Sequence, residues 1–170
     1  MVDAERLFAA HREGLFRYLC RIVGRAEAAQ DLTQEVFVRV VRTAVPTEDP
    51  AGSRAWLFRI ARNLALNHLR DARRRPEPAV LLDRAQPAVQ ELGVALTEAL
   101  NALSEADRDV FLLRETAGLS YAEIGVACEL SVDAVRARLH RARVELRTTL
   151  GDAIGRHRRR PVSLHHGERT

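Results

Sequence analysis

The chain has 170 residues, 46% hydrophobic and 5% aromatic, enough for one or two small domains with modest apolar interiors. No apolar run approaches membrane-spanning length, and the opening MVDAERLFAAHREG lacks the hydrophobic segment of a secretory signal, so neither membrane insertion nor export is expected and the cytoplasm is. The net charge of +4 hides a pattern: 14 Arg against 9 acids in residues 1–75, 3 against 8 in 76–119, and 10 against 6 in 120–170.

All 27 basic residues are Arg, a composition that suits bidentate phosphate and base contacts and equally suits codon bias in a GC-rich genome. Apolar residues recur at helical spacing almost throughout, without strand-like alternation between turn signals, so the expected fold class is all-α, in two small helical domains. Cys20 and Cys128 fall at apolar helical positions with no CxxC and no metal-ligand spacing, and read as packed thiols in a reducing compartment.

Asp3 is placed to cap a first helix with Leu7, Phe8, Leu15, Leu19, Ile22 and Val23 along one side, stopped by Gly24. A second helix, about Glu27 to Thr43, turns Ala29, Leu32, Val36 and Val40 inward and leaves Asp31, Gln34, Glu35, Arg39 and Arg42 to solvent. A mixed polar face of that kind is by itself only a solvated one. The stretch AVPTEDPAGS, Ala44 to Ser53, holds two prolines and a glycine and reads as a loop, after which Ser53 caps a long third helix. That helix has an inward stripe of Leu57, Ile60, Ala61 and Leu64 and a second stripe of Arg59, Asn63, Leu66, Arg70 and Arg73. Arginines track phosphates and Asn hydrogen-bonds base edges, so the second stripe is a candidate nucleic-acid surface, with plain solvation as the alternative. Trp56, the only tryptophan, borders the apolar side and is placed for packing or for base stacking. His68 falls on the apolar side and reads as packed.

Pro76 to Gly93, with three prolines, reads as a linker with little fixed structure, although it carries Val80, Leu81 and Leu82. The helical pattern resumes through Leu96, Leu100 and Leu103, and Ser104 with Asp107 begins a helix running toward Gly118, whose Val110, Phe111, Leu113 and Thr116 can support a pair of helices C-terminal to it.

The most informative stretch is SYAEIGVACELSVDAVRARLHRARVEL, Ser120 to Leu146. Ser120 with Glu123 forms a capping box and Leu119 with Ile124 a hydrophobic staple; Cys128, Glu129 and Leu130 make a corner; Ser131 caps again, with Leu130 and Val135 repeating the staple. Val132, Val135, Leu139, Ala142 and Leu146 form one buried stripe. The opposite face carries Asp133, Ala137, His140 and Arg141, flanked by Arg136 and Arg143, with Arg138 beside them. Small Gly125 suits the close approach a helix-turn-helix requires, and the arginines are placed to fork onto guanine edges or phosphates. The bland alternative is an arginine-rich solvated helix. Beyond Leu150 the tail GDAIGRHRRRPVSLHHGERT first prolongs this helix, until Pro161 forbids it, and is then expected to be disordered. Its histidines have no carboxylate or thiol pattern beside them, and no metal or cofactor is expected.

Three stretches in order, DLTQEVFVRV, AWLFRIARNLALNHLR and ALNALSEADRDVFLLRETAGLSYAEIGVACELSVDAVRARLHRARVEL, resemble the extracytoplasmic-function class of bacterial RNA polymerase sigma factors, over about Leu7 to Leu150. The resemblance implies a non-enzymatic promoter-specificity subunit: a three- or four-helix sigma-2 domain at 1–75, a flexible linker at 76–93, a helix-turn-helix sigma-4 domain at 94–150 and a basic tail at 151–170. It implies that Asp31, Gln34 and Glu35, with Arg39, dock on the beta-prime clamp helices of core polymerase, the second domain contacting the beta flap. Asn63 and Asn67, with the Ala44 to Ser53 loop, are implied to capture unstacked bases of the minus 10 element, with Arg59, Arg62, Arg70 and Trp56 as further candidates. Arg136, Ala137, His140 and Arg141 are implied to enter the minus 35 major groove, flanked by Arg138 and Arg143. The expected partners are core polymerase, promoter DNA and an anti-sigma factor. The loop AVPTEDPAGS departs from the resemblance by lacking aromatic and basic residues, and the tail lies outside it. Two rival readings stand beside it: a helix-turn-helix regulator independent of polymerase, for which residues 1–75 offer no sensor pocket, and a helical adaptor that binds only protein.

Overall fold

The computed structural model describes residues 3–43, 45–74 and 87–158, the side chains of 87–92 and 153–158 excepted. Those residues form seven α-helices and no strand. In α1 (Ala4–Val23) the Asp3 carboxylate accepts from the backbone N–H groups of Glu5 and Arg6, and Gly24, at φ 74°, ends the helix in the left-handed conformation that a residue without Cβ adopts cheaply. α2 (Ala26–Arg42) buries Ala29, Leu32, Val36 and Val40, the four positions its periodicity selects.

α3 (Pro50–Arg74) starts one turn earlier than the expected Ser53 cap. Pro50 takes the first helical position, where a missing N–H is no loss, and the Asp49 carboxylate accepts from Gly52 N–H at 2.7 Å. Ser53 lies inside the helix, buried, with its hydroxyl 3.0 Å from the carbonyl oxygen of Thr47 and 2.8 Å from that of Asp49, so it fastens the loop instead of capping. Tyr18 and Phe58 meet edge to face at 6.1 Å in the centre of this first half.

The second half is α4 (Pro87–Ala102), α5 (Glu105–Glu115), α6 (Tyr121–Cys128) and α7 (Val132–Arg158). α4 begins at Pro87, inside the segment expected to be linker through Gly93; again proline stands at the helix start. Residues 76–86 of that linker lie outside the described residues. α7 continues to Arg158, so the first eight residues of the tail prolong the helix as expected, and the tail beyond it lies outside the described residues. α5 ends at Glu115, not Gly118; the chain turns through Thr116 and reaches Gly118 at φ 67°.

The corner between α6 and α7 forms by the devices its sequence carries. Ser120 and Glu123 make the reciprocal capping box, Ser120 Oγ accepting from Glu123 N–H at 3.2 Å and the Glu123 carboxylate from Ser120 N–H at 2.7 Å. Glu129 takes the left-handed conformation at φ 58°, Leu130 N–H donates to Gly125 O at 2.8 Å, and Ser131 Oγ accepts from Ala134 N–H at 3.1 Å. A Cβ on Gly125 would stand 2.8 Å from the Leu130 carbonyl oxygen, so the glycine is demanded by the corner backbone. Val135, Leu139, Ala142 and Leu146 are buried as their spacing predicts, but Val132 is 41% exposed. The stripe starts one turn later because Leu130, half-buried just before the helix, packs against the core at the corner.

The two halves are in contact. α3 packs on α6 and α1 on α5, and the buried residues of both halves form one continuous cluster. At the centre of that contact Asp109 of α5 is 2% exposed: its carboxylate accepts from the Tyr18 hydroxyl at 2.6 Å and pairs with Arg62 of α3. The Cys128 thiol lies 3.9 Å away. Arg54 donates to Ala117 O and approaches Glu123 at 3.5 Å, and Arg73 pairs with Glu105.

Candidate nucleic-acid interface

Capping and the buried stripe fix the rotation of α7, and with it the outward face. Asp133, Arg136, Ala137, His140, Arg141 and Arg143 are exposed, while Arg138 is half-buried. The arginines are held differently. Arg136 pairs with Asp133 one turn back, at 2.8 Å, between two largely exposed side chains. Arg143 reaches Glu115 of α5 at 3.0 Å. Arg141 binds Asp107 of α5 through Nε and Nη2, at 3.2 and 3.1 Å, and Arg138 reaches the same carboxylate at 3.2 Å. Burial alone would push the Asp107 carboxyl up; the hydrogen bonds from Arg141, Ser104 and Arg138 outweigh it and hold the group below its ordinary value.

The α3 residues divide into two groups. Asn63, Asn67 and Arg70 are exposed along one face, with Arg70 3.5 Å from the Asn67 amide oxygen. Arg62, Arg59 and Trp56 are engaged elsewhere. Arg62 is bound to Asp109, Arg59 stands 3.9 Å from Glu129, and Trp56 is 8% exposed within the core cluster. Packing, not base stacking, is what Trp56 does in this arrangement. His68 is half-buried, and the Cys20 and Cys128 thiols are half-buried as well. Burial, then the charge of Asp109, pushes the Cys128 thiol up to about 12, which keeps it a neutral packing group.

On α2, Asp31, Gln34 and Glu35 are exposed, with Arg39 bound to Glu35 at 2.7 Å. Beside them an open groove of about 940 Å³ runs between α1 and α2, lined in part by Phe8, Phe16, Gln30, Gln34 and Phe37. Phe16 and Phe37 are each 36% exposed, and Val38 and Val41 are more so. The sequence reading missed this apolar flank, although Phe37, Val38 and Val41 are visible as large apolar residues off the inward stripe. Tyr18 and Asp109 were missed too, and Asp107 was read only as part of the start of α5. Tyr18 falls between Leu15 and Ile22 at helical spacing and was legible as core; the arginine and tyrosine partners of the two aspartate carboxylates carry no local signal, because they lie 31 to 91 residues away.

Sigma-70 region 2 matches residues 7–75 and Sigma-70, region 4, matches residues 93–146. The chain belongs to the extracytoplasmic-function group of the sigma-70 family. Among curated relatives, it is 34% identical to the ECF RNA polymerase sigma factor SigE of Mycolicibacterium smegmatis, over 88% of this chain and 62% of that protein. It is 31% identical to the probable RNA polymerase sigma-C factor of Mycobacterium bovis, over 82% and 78%, and 34% identical to the sigma factor CarQ of Myxococcus xanthus, over 87% and 89%. The structure of CnrH in complex with the cytosolic domain of CnrY is similar at a TM-score of 0.67 and 30% identity, over 88% of each chain. The sigma factor RpoE of Bartonella quintana, solved with the anti-sigma factor NepR, shares the fold at a TM-score of 0.63 and 22% identity, over 86% of this chain and 92% of that one. Sigma factors direct RNA polymerase to promoters and are not themselves enzymes. Among the described residues no helix is long and apolar enough to cross a membrane, and no group of His, Cys, Asp and Glu is clustered for a metal.

Proposed function

We propose that this sigma factor acts in the cytoplasm by docking on core polymerase through α2 and reading a promoter at two places, with residues 1–75 and 94–150 as its working domains. The observation that carries the reading is the solvent-facing row Arg136, Ala137, His140 and Arg141 on the second helix of a doubly capped corner, the geometry that lays a helix in a major groove. Arg138 and Arg143, beside that row, supply phosphate contacts. Asp31, Gln34 and Glu35 present acceptors and amides to the beta-prime clamp helices, Arg39 orients Glu35, and Phe37 and Val38 add apolar area at the edge. Contacts of the second domain with the beta flap complete the docking.

Minus 10 capture falls to Asn63 and Asn67, with Arg70 and Arg59 along the strand and the residues 45–49 that precede α3 as a further contact at its N-terminal end. Arg62 reaches DNA only after Asp109 lets it go, so melting the promoter and parting the two halves are coupled steps. Two weak readers held by one polymerase gain from effective concentration, and promoter spacing is tested by the distance polymerase imposes. An anti-sigma factor that seats a helix in the α1–α2 groove competes with polymerase for the apolar flank of α2; the complexed state of the CnrH relative supports such a partner.

The test is transcription in vitro with purified bacterial core polymerase on genomic templates, with the RNA 5′ ends mapped. New start sites that require the protein are expected, and charge reversal at both Asp31 and Glu35 should abolish them while leaving the fold intact. A chain that never joins core polymerase, or joins it without moving the start sites, overturns the reading.

A further inference from the structure

We propose that Asp107 is a positioning residue for promoter reading: it grips the side edge of the Arg141 guanidinium and presents the end-on edge, already oriented, to a guanine in the minus 35 duplex. The inference rests on the proposal that α7 enters the major groove, and goes beyond it by naming what aims the reader and which base it selects.

A guanidinium is planar, with five N–H groups arranged as a side-on fork, Nε with one Nη2 hydrogen, and an end-on fork, Nη1 with the other Nη2 hydrogen. Asp107 takes the side-on fork, Oδ2 accepting from Nε at 3.2 Å and Oδ1 from Nη2 at 3.1 Å. Planarity then directs the end-on fork away from Asp107, on a side chain that is 55% exposed. That fork has the spacing of guanine O6 and N7.

Asp107 is well suited to be the fixed part. It is 7% exposed, in the first turn of α5, where its own N–H is held by Ser104 Oγ at 3.2 Å and the helix N-terminus favours a negative charge. Arg138 donates to Oδ1 of the same carboxylate, so one acid meets two guanidiniums and the cluster keeps a net positive charge toward DNA. Arg136 is the contrast: its partner Asp133 is 90% exposed and sits on the same helix, an ion pair too weak to hold a long side chain in one geometry. Preorientation removes part of the ordering that an arginine otherwise undergoes on binding. Base discrimination should therefore concentrate under Arg141, even though Arg136 is equally cationic.

The test uses holoenzyme made from the full chain and bacterial core polymerase, which selects transcribed templates from a library randomised across the upstream duplex. The wild type is expected to enrich guanine at one upstream position, and Arg141→Ala to reduce that preference roughly 5- to 150-fold. Asp107→Asn, which keeps the shape and removes the charge, should reduce it at the same position by roughly 2- to 12-fold, leave the other positions selected, and add nothing in the double variant with Arg141→Ala. Should Asp107→Asn fail to fold, Asp107→Glu serves instead: the charge remains and its oxygens are displaced by one methylene, so the guanine preference at that one position should fall while the other positions stay selected. Uniform weakening at every position, unchanged selection, or effects additive with Arg141→Ala would each overturn the role of Asp107 and leave α7 as the reader. A wild-type holoenzyme that initiates without any upstream preference overturns both.

Discussion

The molecule carries two arginine-bearing helix faces that look alike in sequence and differ in what they meet. The face of α7 is satisfied within its own half: Arg141 and Arg138 by Asp107, Arg143 by Glu115, Arg136 by its neighbour Asp133. The face of α3 is split, with Asn63, Asn67 and Arg70 outside and Arg62 turned into the other half, where Asp109 and Tyr18 await it. A cationic stripe on a helical wheel thus says where charge is, and only the tertiary partner says whether that charge is available.

The sharpest way to break the comparison is to remove the guanidinium that joins the halves. Arg62→Ala leaves the Asp109 carboxylate buried with the Tyr18 hydroxyl and the weak Cys128 thiol donor but no cation, and breaking a buried pair from one side costs about 3 to 5 kcal/mol. Denaturant unfolding of the free protein should show that loss. A change within about 0.5 kcal/mol would mean that the contact between the halves contributes nothing to the stability of the free chain. On the other face, Arg136→Ala should leave unfolding unchanged, since its partner is a surface residue, and should instead lower promoter discrimination by about 1 kcal/mol, less than Arg141→Ala does. An equal loss on all promoter sequences would reassign Arg136 to phosphate contact.

How much of the fold was legible in the sequence depends on the range of the interactions. Helix type, the inward stripes and both caps of the corner rest on residues within a turn of one another, and Ser120, Glu123, Ser131 and Leu139 stand where their spacing predicts. The start of α3 was misplaced because two capping signals, Asp49 and Ser53, lie four residues apart, and a proline that reads as a breaker is also the best first residue of a helix. The same ambiguity hid the start of α4 at Pro87. The partners of Asp107 and Asp109 were unreadable for a different reason. Each aspartate looks like an ordinary surface acid near the beginning of α5, and their meaning comes from arginines that only the folded chain brings to them.

Smaller effects sharpen the contrast between local and tertiary support. Ser120→Ala deletes one half of the capping box while Glu123 retains its place near Arg54, so about 1 kcal/mol of stability should be lost. Because the corner orients α7, the same variant should also weaken promoter binding without changing its sequence preference. Altered preference at one position would show that the cap tunes the reader itself.

The smallest expected effect is a pH dependence confined to the contact between the halves. His11 of α1 is half-buried, facing Arg54 of α3 and Glu123 of α6; burial first, and then the charge of Arg54, hold its pKa below 6.5, with Glu123 opposing them. Because the folded pKa is the lower one, the unfolded chain binds the extra proton first as the medium is acidified. Stability is therefore full above 6.5, declines as pH falls from that value toward the folded pKa, and levels off below it. The α7 cluster behaves otherwise, since the depressed pKa of Asp107 gives stability that is present above 3.8 and is lost only as pH falls through the folded value. Thermal unfolding between about pH 7.5 and 5.5 should accordingly show a small decline in Tm in the wild type that His11→Gln flattens and Asp107→Asn does not. A decline that survives His11→Gln would place the titrating group elsewhere and remove His11 from the account of how the two halves are joined.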